Sequence, residues 1–378
     1  MRNLIAAVLL STLAANECRA LDHIVLRQDD AQVEVAGKVL VTAEDGGLLA
    51  IGRDGRMWPV KPEELLRRRA DPTPFTSLSP AEMAKQLEGE LPRGFAVHQT
   101  KHYLICYDTS TAYAEWCGSL FERLYRGFTS FWEQRGFELV EPEFPLVAIV
   151  FGDKARYEEF ARAELGDAVT GIIGYYSFRS NRMTMYDLSG VQSLRAPGDR
   201  RSSVAEINRM LARPQAERTV ATIIHEATHQ IAYNCGLQVR YADNPMWVSE
   251  GLAMYFETPD LNSRQGWRSI GKVNRVRLNH WRTTLPHRTH NTLRLVISDD
   301  MKFRDSASQQ QAYSEAWALN YYLMRSKSDE YDQYLKALGK KEHLLWATPE
   351  ERIEEFEKHF GDLETFETDY LRSMRRVR

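Results

Sequence analysis

The sequence has few cysteines and little imbalance of charge, and both shortages exclude classes of protein. Four cysteines among 378 residues are too few for a disulfide scaffold. One of them is Cys18, and the others are Cys106, Cys117 and Cys235. Buried free thiols are the favoured interpretation of these three, with a disulfide between Cys106 and Cys117 as the alternative. The formal net charge of −3 shows no excess of basic residues, so we expect no nucleic-acid partner.

Long apolar runs are also missing, so no stable insertion into a membrane is expected. The run over residues 4–15 is shorter than the ~20 residues that span a bilayer. Arg2 precedes this run and Cys18-Arg19-Ala20 follows it, which is the pattern of a secretory signal peptide over residues 1–20. Asn16-Glu17 stand where a lipoprotein has small residues, so lipoprotein anchoring is the weaker alternative. The sequence predicts an exported protein, periplasmic or extracellular, and leaves its oligomeric state open.

Short alternating segments between residues 23 and 60 predict a small antiparallel β module. A Pro-containing stretch over residues 70–74 is interpreted as a linker, and a short helix is expected from Pro80. We therefore assign residues 21–75 to a β-meander module, residues 76–95 to a linker with a short helix, and residues 96–378 to a second domain.

Strands and helices alternate at the start of the second domain. Strands are predicted over residues 103–107, 146–151, 172–178 and 182–186, and helices over residues 109–135 and 155–164. Helical segments dominate the chain after this point. The order predicts an α+β fold with a small sheet and a helical C-terminal part.

One short motif indicates a chemistry. His225 and His229 are four residues apart on a helix predicted over residues 216–234, so their imidazoles lie about 40° apart around its axis and can bind one metal ion. Glu226 follows the first histidine and points to the open side of such a metal, where a carboxylate can take a proton from water. Apolar residues line this helix, so the motif lies on a buried element.

The third ligand decides the kind of zinc site. A metzincin needs a histidine six residues after His229, where the sequence has Cys235, and this cysteine is disfavoured as a ligand. Asn244 and Pro245 predict the cap and first turn of a second helix, and Glu250 falls one to two turns into it. A carboxylate on a mainly buried helix needs a charged partner. Two imidazoles and this carboxylate leave a fourth position open, which is typical of catalytic zinc.

Other polar residues nearby are weaker candidates. Glu257 lies seven residues after Glu250 on the same face of the helix. We favour the interpretation that Glu257 is a solvated carboxylate at the helix end, and the alternative is that it forms a hydrogen bond to a metal ligand. His280, His287 and His290 match no set of ligands by their spacing.

The His225-Glu226-Ala227-Thr228-His229 motif and the segment from Trp247 to Tyr255 (WVSEGLAMY) together resemble the gluzincin metallopeptidases, closest to bacterial secreted proteins with a peptidase MA-like core. The resemblance covers roughly residues 96–331. It implies a zincin-like metallopeptidase core with a small mixed sheet, active-site helices and a helical C-terminal part. By position it also implies that His225, His229 and Glu250 bind Zn²⁺ and that Glu226 is the general base or acid.

The resemblance also implies where substrate and oxyanion lie. In such peptidases the strand at the cleft edge pairs with an extended substrate, so residues 174–177 or 183–186 are candidates, with an ordinary hairpin as the alternative. Residues 312–324 resemble the helix that closes the floor of the active site. Tyr313 on this helix is the candidate oxyanion donor, with a plain core residue as the alternative.

These observations predict an exported zinc-dependent hydrolase, a metallopeptidase that acts on a peptide or protein substrate. Two alternatives stay open. One is a catalytically silent cell-envelope binding or assembly module that retains the zinc site. The other is a zinc amidase that acts on a non-peptide amide.

Overall fold

The computed structural model describes residues 20–28, 31–196, 198–261, 263 and 267–378. Two compact units are present: the described residues up to Arg53 together with residues 58–77, and residues 54–57 together with the described part of 78–378. The predicted signal peptide lies outside the described residues except for Ala20, which begins the first strand. Within the described residues, no helix combines the length and apolar character that crossing a membrane requires.

The first unit is an antiparallel sheet of five strands in the order β4-β3-β2-β1-β5. Apolar side chains from four of the strands form its core. The strands are β1 (Ala20–Gln28), β2 (Ala31–Thr42), β3 (Leu48–Gly52), β4 (Met57–Val60) and β5 (Leu65–Pro74). The predicted antiparallel module is therefore confirmed.

The last strand of this unit corrects one expectation. Residues 70–74 are not a linker, because they form the second half of β5 and pair with the start of β1. Pro72 and Pro74 are compatible with this strand because β5 is an edge of the sheet. Proline has no N–H group, and on the open side of an edge strand there is no neighbouring strand that needs this donor.

The second unit contains a mixed sheet of five strands in the order β6-β7-β8-β10-β9. The central strands β7, β8 and β10 run parallel, and the outer strands β6 and β9 pair antiparallel to their neighbours. Residues 172–186 therefore form a hairpin whose first strand is an edge of the sheet. The strands are β6 (Ala96–Gln99), β7 (Tyr103–Tyr107), β8 (Leu146–Phe151), β9 (Gly174–Tyr176) and β10 (Arg182–Tyr186).

Helices surround this sheet and make up the C-terminal half, so the predicted α+β class is confirmed. The helices are α1 (Pro80–Glu90), α2 (Thr111–Glu133), α3 (Lys154–Leu165), α4 (Val204–Leu211), α5 (Glu217–Asn234), α6 (Met246–Phe256), α7 (Arg275–Thr284), α8 (Thr292–Ser298), α9 (Gln309–Ser326), α10 (Ser328–Leu338), α11 (Pro349–Phe360) and α12 (Leu363–Met374).

Helices α5 and α6 pack against each other within the second unit. Helix α5 packs against α2, β9 and β10, whereas α6 packs between α5 and α9. The contact between α6 and α9 is close because Gly251 has no side chain. A Cβ atom at that position would overlap the Asn320 amide and lie 2.7 Å from the carbonyl oxygen of Ala316. Asn320 uses this amide to donate to the carbonyl of Trp247 at 2.8 Å, which fixes α6 in place.

Candidate metal centre

Helix α5 carries the first two candidate ligands on a buried face. Its apolar residues lie in the main core of the unit, and Gln230 ties the helix to the sheet. The amide of Gln230 donates to the carbonyl oxygens of Val147 in β8 and Asn181, each at 3.0 Å. His225 and His229 are 8% and 6% exposed. The imidazoles therefore lie on a helix that is anchored to the sheet, and they have little exposure to solvent.

The structure brings His225, His229 and Glu250 together. Nε2 of His225 lies 3.1 Å from Nε2 of His229 and 3.0 Å from one carboxylate oxygen of Glu250, and the other oxygen lies 3.6 Å from Nε2 of His229. Ligand atoms around a tetrahedral zinc ion, with bonds of about 2.0–2.1 Å, lie about 3.3 Å apart. These three side chains can therefore hold one metal ion.

The start of α6 differs from the prediction. Asn244 is not the cap, because its side-chain amide donates to the carbonyl oxygens of Val239 and Ala242. Asp300 takes this role from another part of the chain, since its carboxylate accepts from the backbone N–H of Met246 at 2.9 Å. The other oxygen of Asp300 accepts from Arg352 at 2.9 Å. Sequence spacing cannot reveal a cap that comes from 54 residues away.

Glu257 also departs from the sequence-based interpretation, which favoured a solvated carboxylate. It is 7% exposed, and its Oε2 accepts a hydrogen bond from Nδ1 of His225 at 2.9 Å. Its Oε1 accepts from the Asn274 amide at 2.6 Å and lies 3.8 Å from Nε of Arg277. The segment from Asn274 into α7 thus covers the end of α6. A carboxylate in this position fixes the imidazole ring and leaves Nε2 free to bind a metal.

Opposite charges are needed to stabilise this buried cluster. Burial lowers the pKa of His225, but hydrogen bonds and charges from Glu250 and Glu257 outweigh it and raise this pKa to about 10. Burial raises the pKa of Glu250, whereas His229 and His225 outweigh it and hold this pKa far below its usual range. The carboxylates therefore demand positive charge at the position between the ligand atoms, which a divalent cation supplies.

Glu226 lies beside the ligands at the edge of the sheet. Its Oε2 accepts a hydrogen bond from the backbone N–H of Tyr176 in β9 at 2.9 Å. Burial raises its pKa, and the charges of His225 and His229 oppose this shift. A carboxyl group with a raised pKa is suited to accept and return a proton near neutral pH.

The sheet distinguishes the two candidate strands for pairing with a substrate. Residues 183–186 lie in β10, which already pairs with β8 and β9, so they are not an edge. Residues 174–176 form β9, the edge strand that contacts Glu226. The proposed substrate edge is therefore restricted to β9.

Tyr313 lies on the first turns of α9, near Glu250 and Glu226. The charge of Glu250, followed by burial and the charge of Glu226, raises the pKa of Tyr313 far above its usual value. The ring packs edge-on against Phe303, and the guanidinium of Arg277 lies 5.5 Å from its centroid. The phenol is therefore close enough to Glu250 and Glu226 for their charges to act on it.

The remaining candidates stay outside the centre. Among the described residues, the one group with the geometry of a metal site is His225, His229 and Glu250, so the later histidines are not part of it. His280 contacts the amide of Gln310 instead. The three described cysteines are buried free thiols, and Cys235 is not a ligand.

The sequence does not predict four contacts of the site, those made by Tyr176, Asn274, Arg277 and Asp300, although Tyr176 lies within the candidate strand at residues 174–177. Only Asn274 carries a readable local signal, because asparagine is a preferred cap and it caps α7. The contacts of the other three with the site depend on tertiary structure.

A family model described as "Protein of unknown function (DUF1570)" matches residues 219–344. The match includes the three candidate ligands, Glu226, Glu257 and Tyr313. No curated protein matches the chain. Over these residues the chain is thus similar to a family whose function is unknown.

Proposed function

We propose that this protein is an exported zinc-dependent hydrolase that cleaves peptide bonds, of the gluzincin type. The observation that carries the proposal is the convergence of His225, His229 and Glu250 within 4.8 Å, with Glu226 next to them. Export rests on the sequence pattern of residues 1–20.

The donor set favours zinc over other cations. Two imidazole nitrogens and one carboxylate oxygen suit zinc, whereas magnesium and calcium prefer oxygen ligands throughout. Three protein ligands leave a further position of a tetrahedron for water or substrate. Bound zinc supplies a Lewis acid that acidifies water and polarises a carbonyl group.

Glu226 moves the proton in this proposal. Its carboxylate accepts a proton from the attacking water and delivers it to the leaving amine. The N–H group of Tyr176 holds one of its oxygens, so the carboxylate is oriented before substrate binds.

Tyr313 donates a hydrogen bond to the oxygen that develops negative charge. A tyrosine hydroxyl is protonated at neutral pH and can therefore donate this hydrogen bond. Donors aimed at this oxygen stabilise the transition state more than the ground state.

The edge strand β9 favours a peptide as substrate. The N–H of Ser177 donates to Arg182 on the β10 side, so the carbonyl group of Tyr176 and the backbone groups of Gly174 point to the open edge, where the N–H of Tyr176 already donates to Glu226. An extended peptide can pair with this edge as an added strand, which places its backbone beside Glu226.

Two measurements test the proposal. The purified protein should contain close to one zinc ion, and His225→Ala should lose it. Glu226→Gln should keep the metal and lose turnover of a peptide library by about 100-fold or more. Glu217→Gln, at the start of the same helix, is the matched control and should leave both unchanged.

Three results would contradict the proposal in different ways. Absence of zinc, or zinc retained by His225→Ala, removes the metal centre. Full activity of Glu226→Gln assigns the proton transfer to another group. Zinc binding without turnover of any peptide points to a silent binding module or to a non-peptide amide.

A further inference from the structure

We propose that Arg277 binds a carboxylate of the substrate, so that the site acts on peptides with a free carboxylate a few residues from the cleaved bond. This inference rests on the proposed function. It names a specificity-determining residue and a chemical class of substrate for the same site.

Arg277 lies between two groups of the candidate centre. On one side its Nε is 3.8 Å from the carboxylate of Glu257, which holds His225. On the other side its guanidinium lies 5.5 Å from the centroid of Tyr313. Helix α7 fixes the position, because the side chain of Asn274 caps it by accepting from the backbone N–H of Arg277 at 3.1 Å.

The neighbouring carboxylate does not satisfy this guanidinium. Glu257 already accepts from His225 and Asn274, and 3.8 Å is too long for a hydrogen bond. Arg352, by contrast, donates to Asp243 at 2.6 Å and to Asp300 at 2.9 Å. Within the described part of the chain, the terminal nitrogens of Arg277 have no such carboxylate partner.

The arginine is also accessible and matches the charge of the centre. Its side chain is 26% exposed, so a ligand can contact it. A bound divalent cation would offset two of the three carboxyl groups of Glu226, Glu250 and Glu257, and Arg277 supplies a further positive charge beside them. A planar guanidinium with free donors binds a carboxylate through two parallel hydrogen bonds.

The distance sets how far the carboxylate lies from the cleaved bond. One carboxylate and one imidazole ring separate Arg277 from the ligand nitrogen of His225, a span on the order of 10 Å or about three residues of extended chain. The carboxylate can be the C-terminus of the peptide or an acidic side chain. Both sources present the same chemistry, and the experiment separates them.

Zinc-loaded Glu226→Gln protein is incubated with pooled hexapeptides in three forms: free C-terminus, amidated C-terminus, and amidated with an internal Asp or Glu. Retained peptides are identified by mass spectrometry, and affinities are measured by calorimetry. We expect at least a tenfold preference for a form that carries a carboxylate. Adding Arg277→Gln should abolish the preference while affinity for the neutral amidated form stays the same, and Arg277→Lys should restore part of it.

Arg275→Gln is the matched control, since this exposed arginine lies on the same helix, and it should keep the preference. Equal weakening of all forms by Arg277→Gln, loss of zinc in that variant, or retention of no peptide would overturn the inference. Wild-type turnover is measured separately. A carboxylate preference without turnover refutes only the proposed function, whereas turnover without the preference refutes only the role of Arg277.

Discussion

Nδ1 of His225 lies 2.9 Å from the carboxylate of Glu257, and its Nε2 lies 3.0 Å from the carboxylate of Glu250. The imidazole of His225 thus contacts two carboxylates, Glu250 in α6 and Glu257 at the end of the same helix, which are seven residues apart. The outer carboxylate holds the ring in the orientation that a metal requires.

Glu257→Ala should therefore weaken zinc binding by about 10–100-fold while the fold is retained. Glu257→Gln should have a smaller effect, because its amide oxygen can still accept from Nδ1. Zinc affinity is measured by competition with a chromogenic chelator. Glu88→Ala, at an exposed position of α1, is the control and should bind zinc as the parent does. Unchanged affinity in Glu257→Ala would show that the ring needs no support.

Gly251 permits the close contact of α6 with α9. Gly251→Ala should destabilise the protein by about 1–3 kcal/mol or more, because a Cβ atom would overlap the Asn320 amide and crowd the Ala316 carbonyl. Gly89→Ala in α1 meets no neighbouring atom and should be neutral or stabilising by up to about 1 kcal/mol. Urea unfolding measures both. Similar stability of the two variants would contradict the packing argument.

Asp300 positions the helix that carries Glu250. Asp300→Ala removes the acceptor for the N–H of Met246 and one partner of Arg352, so it should cost about 1–3 kcal/mol and lower zinc affinity. Asp300→Asn keeps an acceptor for the N–H of Met246 but loses the negative charge that pairs with Arg352. Compared with Asp300→Ala, it should therefore recover more of the zinc affinity than of the stability. An Asp300→Ala protein that binds zinc normally would show that α6 is held by its packing alone.

The three described cysteines should not react with thiol reagents in the folded protein. Burial raises the pKa of Cys106 and of Cys235 to about 12, and it raises the pKa of Cys117 well above its usual value. The thiolate is the reactive form, so labelling at pH 8 should be absent at these positions until the protein is unfolded. Mass spectrometry after maleimide treatment, with and without guanidinium, identifies each position. Rapid labelling of any of the three under native conditions would contradict their burial.

Local signals were sufficient for the elements that carry the ligands. His225 and His229 share one helix, so their spacing fixes their relative positions within a single element. The apolar residues around Glu250 predict a second buried helix for it, and the structure brings its carboxylate to both imidazoles. The alternation of apolar and polar residues in the first unit similarly predicts its antiparallel strands.

Contacts between distant segments could not be predicted in this way. The partners of Glu257 lie on the chain that follows α6, and the cap of α6 comes from Asp300. Edge and central strands also look alike in sequence, so only the pairing showed that β9 rather than β10 is open. Periodicity describes which face is buried but not what buries it.

The two parts of the candidate centre belong to different neighbourhoods of the second unit. The histidine pair is anchored to the sheet through Gln230, whereas Glu250 belongs to a helix held by Asn320 and Asp300 from the helical half. A cation bound by all three would thus cross-link layers that are otherwise joined by packing. Chelation should then loosen the seam between α5 and α6 first, and amide hydrogens there should exchange sooner than those in β7 and β8.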